Sequence, residues 1–216
     1  MLRAVMLAAC GVVLAGVLSG CASTGIAVRE SFGQAKREQL VDRVEDARDE
    51  QADAQEQFVS TLDEFKAITG YDGGELERAY SKLSRELKRS EDAAEDVSSR
   101  IRSVENVGDA LFKEWEGELD DFASEDFRRR SERQLRETRD AYEELVDKMK
   151  AAEARMEPVL VAFNDQVLFL KHNLNARAIA SLDETLVDLE SEIDRLIAEM
   201  NASIEEADAF IEQLGA

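Results

Sequence analysis

From Leu40 onward the apolar residues of this chain recur three and four apart, and almost nothing interrupts them. One run is Leu40, Val44, Ala47, Ala54, Phe58, Phe65 and Ile68. A second goes from Leu76 through Tyr80, Leu83, Leu87, Ala94, Val97, Ile101, Val104, Leu111 and Trp115 to Phe122. A third goes from Leu135 through Tyr142, Leu145, Met149, Ala152, Met156, Val159 and Phe163 to Leu170. The last goes from Leu182 through Leu186, Leu189, Ile193, Leu196, Met200, Ala207 and Phe210 to Leu214. Alternating threes and fours keep one stripe of a helix facing a packed seam. The composition agrees, with a single proline in 216 residues and an abundance of Ala, Glu, Leu and Arg, all good helix formers. The expected fold is all-α: an elongated antiparallel four-helix bundle with coiled-coil packing.

The breaks between the runs are also readable. Thr69-Gly70-Tyr71-Asp72-Gly73-Gly74 is a turn, and Asp72 with Glu75 has the spacing of an N-terminal capping box. A second break falls near residues 122–126, with Ser124 as its cap, and a third near 175–180, where Ser181 and Glu184 form another capping box. Connections this short make neighbouring helices antiparallel. The second helix is expected to reach Phe122, about 48 residues or ~70 Å long. Pro158 sits inside the third and should bend it. Beyond that proline, Val159 to Leu174 is apolar on more than one face, which predicts a central core segment rather than an exposed partner patch.

The chain opens MLRAVMLAACGVVLAGVLSGCAS. Arg3 gives a positive start, and Ala4 to Val17 is an uncharged apolar run of leader length, too short for a membrane-spanning helix. It ends in Leu18-Ser19-Gly20-Cys21, which resembles the lipobox of bacterial lipoproteins. That resemblance implies cleavage before Cys21, a diacylglycerol on its sulfur and an acyl chain on its new amine. Ala22 follows the cysteine, where an Asp would suggest inner-membrane retention. The expected address is the periplasmic face of the outer membrane, lipid-anchored. The chain then divides into a leader over 1–20, a lipidated tether over 21–30 and one helical-bundle domain over 31–216. Cys10 leaves with the leader and Cys21 is acylated, so no thiol remains for a disulfide or a thiolate metal site.

The net charge is −21, from 48 acids against 27 Lys and Arg. A surface this acidic repels nucleic acid and anionic headgroups. No phosphate loop, HExxH, GxSxG or CxxC pattern occurs, and the acids at helical spacing read as a solvated face without EF-hand spacing. A non-enzymatic protein without cofactor or metal is expected.

One stretch departs from this background. FLKHNLNARAIASL, residues 169–182, holds the only histidine and carries no acid between Asp165 and Asp183. In an antiparallel bundle the 70–74 and 175–180 turns share one end, opposite the N-terminus. That distal tip gathers Tyr71, Asp72, Gly73, Gly74, Lys171, His172, Asn173, Asn175 and Arg177. One account is structural: Lys171 and His172 complement a helix C-terminus, Asn173 and Asn175 suit a cap or a left-handed position, and Arg177 pairs with Asp72. The other is a recognition tip offering hydrogen-bond donors and Tyr71 to a carboxylate, a glycan or a protein.

The lipobox, YDGGELERAY, ALFKEWEGEL and MEPVLVAFNDQVLFLKHNLNARAIASL together resemble a family of proteobacterial lipoproteins catalogued as a domain of unknown function. Members are sometimes labelled DNA repair ATPases, but this chain has no phosphate loop. The expected function is a structural or adaptor rod held by its lipid, with a periplasmic or outer-membrane protein partner, self-association left open and no nucleic acid. The alternative is a ligand- or peptidoglycan-binding module using the tip. A DNA-associated coiled-coil protein, as in the family labels, is a third.

Overall fold

The computed structural model describes residues 21–69, 76–173 and 176–215, with side chains over 35–68, 76–173 and 185–214. Four long helices follow in order: α1 Cys21–Thr69, α2 Leu76–Glu118, α3 Glu125–His172 and α4 Ala176–Gly215. A single 3-10 turn, Leu119–Asp121, joins α2 to α3. The leader over 1–20 and the 70–75 turn, with the Asp72–Glu75 box, lie outside the described residues.

The cross-strut pairs fix the packing order. Up α1 and down α2, Lys36 pairs with Glu114, Glu50 with Arg100 at 3.3 Å, and Glu64 with Lys82. Up α1 and down α4, Arg48 pairs with Asp208 at 2.9 Å, Gln55 with Asn201 at 3.2 Å, and Lys66 with Glu190 at 2.8 Å. Between α2 and α3, Glu116 meets Arg139 at 2.7 Å and Glu105 meets Lys150. Sequence neighbours therefore pack antiparallel and α4 closes on α1. Among the described residues the backbones of the diagonal pairs α1/α3 and α2/α4 do not come close. This is the up-down-up-down bundle that the periodicity calls for.

The core is the three-four seam itself. Leu40, Val44, Ala47, Ala54, Phe58, Phe65 and Ile68 are buried on α1; Leu189, Ile193, Leu196, Met200, Ala207 and Phe210 are buried on α4. Fully burying each of Phe58, Phe65, Phe163 and Phe210 is worth about 1.5–3 kcal/mol. Two polar layers interrupt this seam. Ser203 Oγ donates to Gln51 Oε1 at 2.8 Å, and Thr61 Oγ1 lies 2.8 Å from Ser90 Oγ, all four side chains being fully buried.

Four expectations about boundaries change. α2 has 43 residues rather than about 48 and ends at Glu118. Phe122 is not core: the chain turns extended there, and the ring is 41 % exposed. Ser124 does occupy the N-cap of α3, but without a side-chain hydrogen bond; its carbonyl accepts from Arg128 N at 3.0 Å. The third break comes earlier than 175–180, since α4 begins at Ala176 and Ser181 is inside it. Ala176, Ala178 and Ala180 are strong helix formers, so the helix propagates past the expected box. The 21–30 stretch is the start of α1 and as a helix spans ~15 Å.

Candidate functional site

Antiparallel packing gives the rod two unlike ends. One carries the N-terminus of α1, the Leu119–Ser124 connection and the C-terminus of α4. The other carries the α1–α2 turn and the α3–α4 turn. α1 has 49 residues, so ~70 Å separates its ends.

At the distal end, Lys171 and His172 lie in the last turn of α3, and both are exposed. Neither makes an ion pair or hydrogen bond among the described residues. Both sit at the carbonyl end of the helix dipole, which favours cations such as the Lys171 ammonium. Asn173 is the C-cap, with φ −136° and ψ 54°, so it is not left-handed. Its backbone N–H donates to Leu170 O at 3.1 Å and its Nδ2 donates to Phe169 O at 3.0 Å. The side chain thus satisfies a carbonyl that the helix end leaves open. Tyr71, Asp72, Gly73, Gly74 and Asn175 lie outside the described residues. Arg177 is in the first turn of α4, with its side chain not among those described, and so the Arg177–Asp72 pair also lies outside. Cys21 is the first residue of α1, again without a described side chain.

The segment before the tip splits by face. Val159, Phe163, Val167 and Leu170 are buried. Val161 and Leu168 are each 49 % exposed and Phe169 is 41 % exposed. The expectation of a central core segment therefore holds for one stripe only. A helix in a four-helix ring has two neighbours, so its outer stripe stays in solvent whatever its composition. Asp140 and Asp147 occupy the outer stripe lower on α3; seven residues apart, Ala154, Val161 and Leu168 continue it. The outer face changes from acidic to apolar on approach to the tip.

Between α2 and α3, a groove of about 510 Å³ is lined by Glu91 and Glu95 on one side and Glu153 and Glu157 on the other, with Met156 and Leu160 below. Among the described residues no three His, Cys, Asp or Glu side chains come together as a metal site. Nor is any described helix long and apolar enough to cross a membrane.

At the opposite end the sequence holds a feature that periodicity alone does not flag. Residues 127–139, FRRRSERQLRETR, carry six arginines against two glutamates. Phe127 is 60 % exposed. Trp115 is pinned beside this segment, donating Nε1–H to Ser131 Oγ at 2.8 Å, with Arg37 5.3 Å over its ring. A windowed charge count would have found this run; the whole-chain charge hides it.

These features define a class: an elongated, acidic, antiparallel four-helix bundle whose two ends differ in surface character. The chain belongs to the family described as Protein of unknown function (DUF2959), whose model matches residues 26–214. No curated protein and no solved structure matches it.

Proposed function

We propose that this protein is a non-enzymatic, lipid-anchored rod of the bacterial envelope. Acylated at Cys21 and held on the periplasmic face of the outer membrane, it carries an adaptor surface away from the bilayer toward a protein partner. The lipobox-like Leu18-Ser19-Gly20-Cys21 supports the anchor. The observation that carries the adaptor role is the outer face of α3 at the far end, where Val161, Leu168 and Phe169 are exposed beside Lys171 and His172, which have no ion-pair partner among the described residues. Exposed apolar side chains rimmed by polar ones are the usual composition of a docking patch. Lys171 and His172 offer hydrogen-bond donors to acidic or neutral groups at the docking point, whereas the net charge of −21 works against a partner that is acidic as a whole.

Photo-crosslinking in living cells tests this. Crosslinkers at Phe169 and His172 are compared with crosslinkers at Glu143, on the flank. A discrete adduct from the distal sites alone is expected, and mass spectrometry then names the partner. Adducts from the flank alone would remove the distal patch from the mechanism. Thermal stabilisation by peptidoglycan fragments, with no protein adduct, would turn the reading to a ligand-binding tip.

A further inference from the structure

We infer that the first turns of α3, with Phe122 beside them, form a second membrane contact: a surface that binds phospholipid phosphates and makes the rod lean. The inference rests on the anchor at Cys21 for its position. Arg129, Arg130, Arg133 and Arg136 are all exposed on the outer side of α3. Arg129 is engaged by Glu125 at 3.7 Å and by Asp126. Arg128, half-buried, is held by Glu132 at 3.1 Å and Asp120 at 3.7 Å. Arg130, Arg133 and Arg136 have no such carboxylate among the described residues. Phe127 and Phe122 project from the same end, 60 % and 41 % exposed, and neither belongs to the core.

Guanidinium groups bind phosphate oxygens bidentately. An aromatic ring settles at the boundary between headgroups and acyl chains. Three arginines without a carboxylate among the described residues, beside two exposed rings, match that interface. They match an acidic protein surface less well, because such a surface offers no apolar layer for the rings.

The anchor makes so small a contact sufficient. Glu114 pairs with Lys36, so the end of α2 lies level with about residue 32 of α1. From there α1 continues to Cys21, about ten residues or ~15 Å. The contact is therefore intramolecular once the lipid is in the bilayer, at an effective concentration in the millimolar range. Long side chains close part of the 15 Å gap. A lean toward α3, the helix diagonal to α1, closes the rest. The carboxylates of Asp120, Asp121, Glu125 and Asp126 flank the surface, and Asp140, Glu143, Glu144 and Asp147 follow it. They confine the contact to about three turns. At physiological salt, charges beyond ~8 Å are screened, so the nearest arginines dominate.

The test uses the full lipidated chain reconstituted in mixed phosphatidylethanolamine–phosphatidylglycerol vesicles. An environment-sensitive fluorophore is placed by Ala123→Cys at this end, or by His172→Cys at the far end. Brominated lipids should quench the first strongly and the second hardly at all. The Arg130→Glu/Arg133→Glu/Arg136→Glu variant should lose the quenching at 123 several-fold while still floating with the vesicles. Phe127→Ser, at an exposed position outside the core, should lose part of it. Equal quenching at both ends, or quenching unchanged by the triple variant with its helicity intact, overturns the inference while leaving the anchor standing. Failure of the parent chain to float would instead overturn the anchor, and this inference with it.

Discussion

Gly108 sits in the buried seam of α2, directly against Tyr142 of α3. A Cβ at this position would come closer than 3.0 Å to three atoms of the Tyr142 ring and hydroxyl. Tyr142 cannot simply retreat. Its ring makes an edge contact with Phe112 at 5.1 Å between centroids and a tilted one with Phe210 at 6.2 Å. Helix propensity alone says that Gly108→Ala should stabilise α2 by about 1 kcal/mol. Packing says the opposite: overfilling a tight core costs about 1–3 kcal/mol, and displacing the ring from its two aromatic partners costs about 0.5–1.5 kcal/mol each. The net expectation is a loss of about 2 kcal/mol. For a chain of this size that lowers the melting temperature by roughly 4–8 °C. Thermal melts followed by circular dichroism at 222 nm read it directly. The companion variant Tyr142→Leu loses stability by itself through the cavity it leaves. Adding Gly108→Ala to it should then recover about 1 kcal/mol, giving a clear coupling energy between the two sites. A higher melting temperature for Gly108→Ala alone, or strict additivity in the double variant, would refute the packing argument.

Other expectations follow from single groups. Burial raises the Tyr142 hydroxyl pKa well above its ordinary 10.0, helped by the charges of Asp109 and Glu105. The folded state then keeps the proton that the unfolded state releases, so full stability should hold below about pH 10 and fall as pH rises beyond it. Tyr142→Phe should flatten that alkaline decline in denaturant titrations; an unchanged slope would assign it elsewhere. Among the described residues Gln51 Nε2 is buried with no hydrogen-bond partner, and its Oε1 accepts from Ser203. Ser203→Ala should therefore cost about 1–3 kcal/mol, whereas Gln51→Leu/Ser203→Ala should be near neutral or stabilising in urea unfolding. Pro158 lies inside α3 at an exposed position. Pro158→Ala restores a backbone donor, so a gain of about 1 kcal/mol or more is expected in the same assay. A loss would mean that the proline's local geometry is built into the bundle packing.

Much of the architecture was legible because it is local. The seam from Leu135 to Leu170 needs only a helix of 3.6 residues per turn to place its apolar residues on one side. Twelve residues of α3 are buried and nearly all follow that spacing. The ends were less legible. Phe122 fits the heptad by number, but whether a helix continues is decided by competition among neighbouring residues, and the chain leaves α2 at Glu118. Ser181 and Glu184 have the capping-box spacing, but a box acts only where a helix begins, and the alanines before it extend α4 to Ala176. Of the distal island, the placement of Lys171 and His172 followed from the end of the apolar run.

What the sequence determined by itself is therefore the set of four helices, their antiparallel order and the stripe each one buries. Periodicity, breakers and connection length act over a few residues, and they need no knowledge of distant parts of the chain. What only the tertiary structure decided is which surfaces remain uncovered. Val161, Leu168 and Phe169 look as apolar as Phe163 and Leu170 in the sequence, but the first three face outward because a closed ring of four helices gives α3 only two neighbours. The same closure sets Gly108 under the Tyr142 ring. It also leaves Arg130, Arg133 and Arg136 without a carboxylate among the described residues, in a chain with 48 acids. Charge totals and spacing count residues, whereas burial and pairing depend on which helix comes to lie beside which.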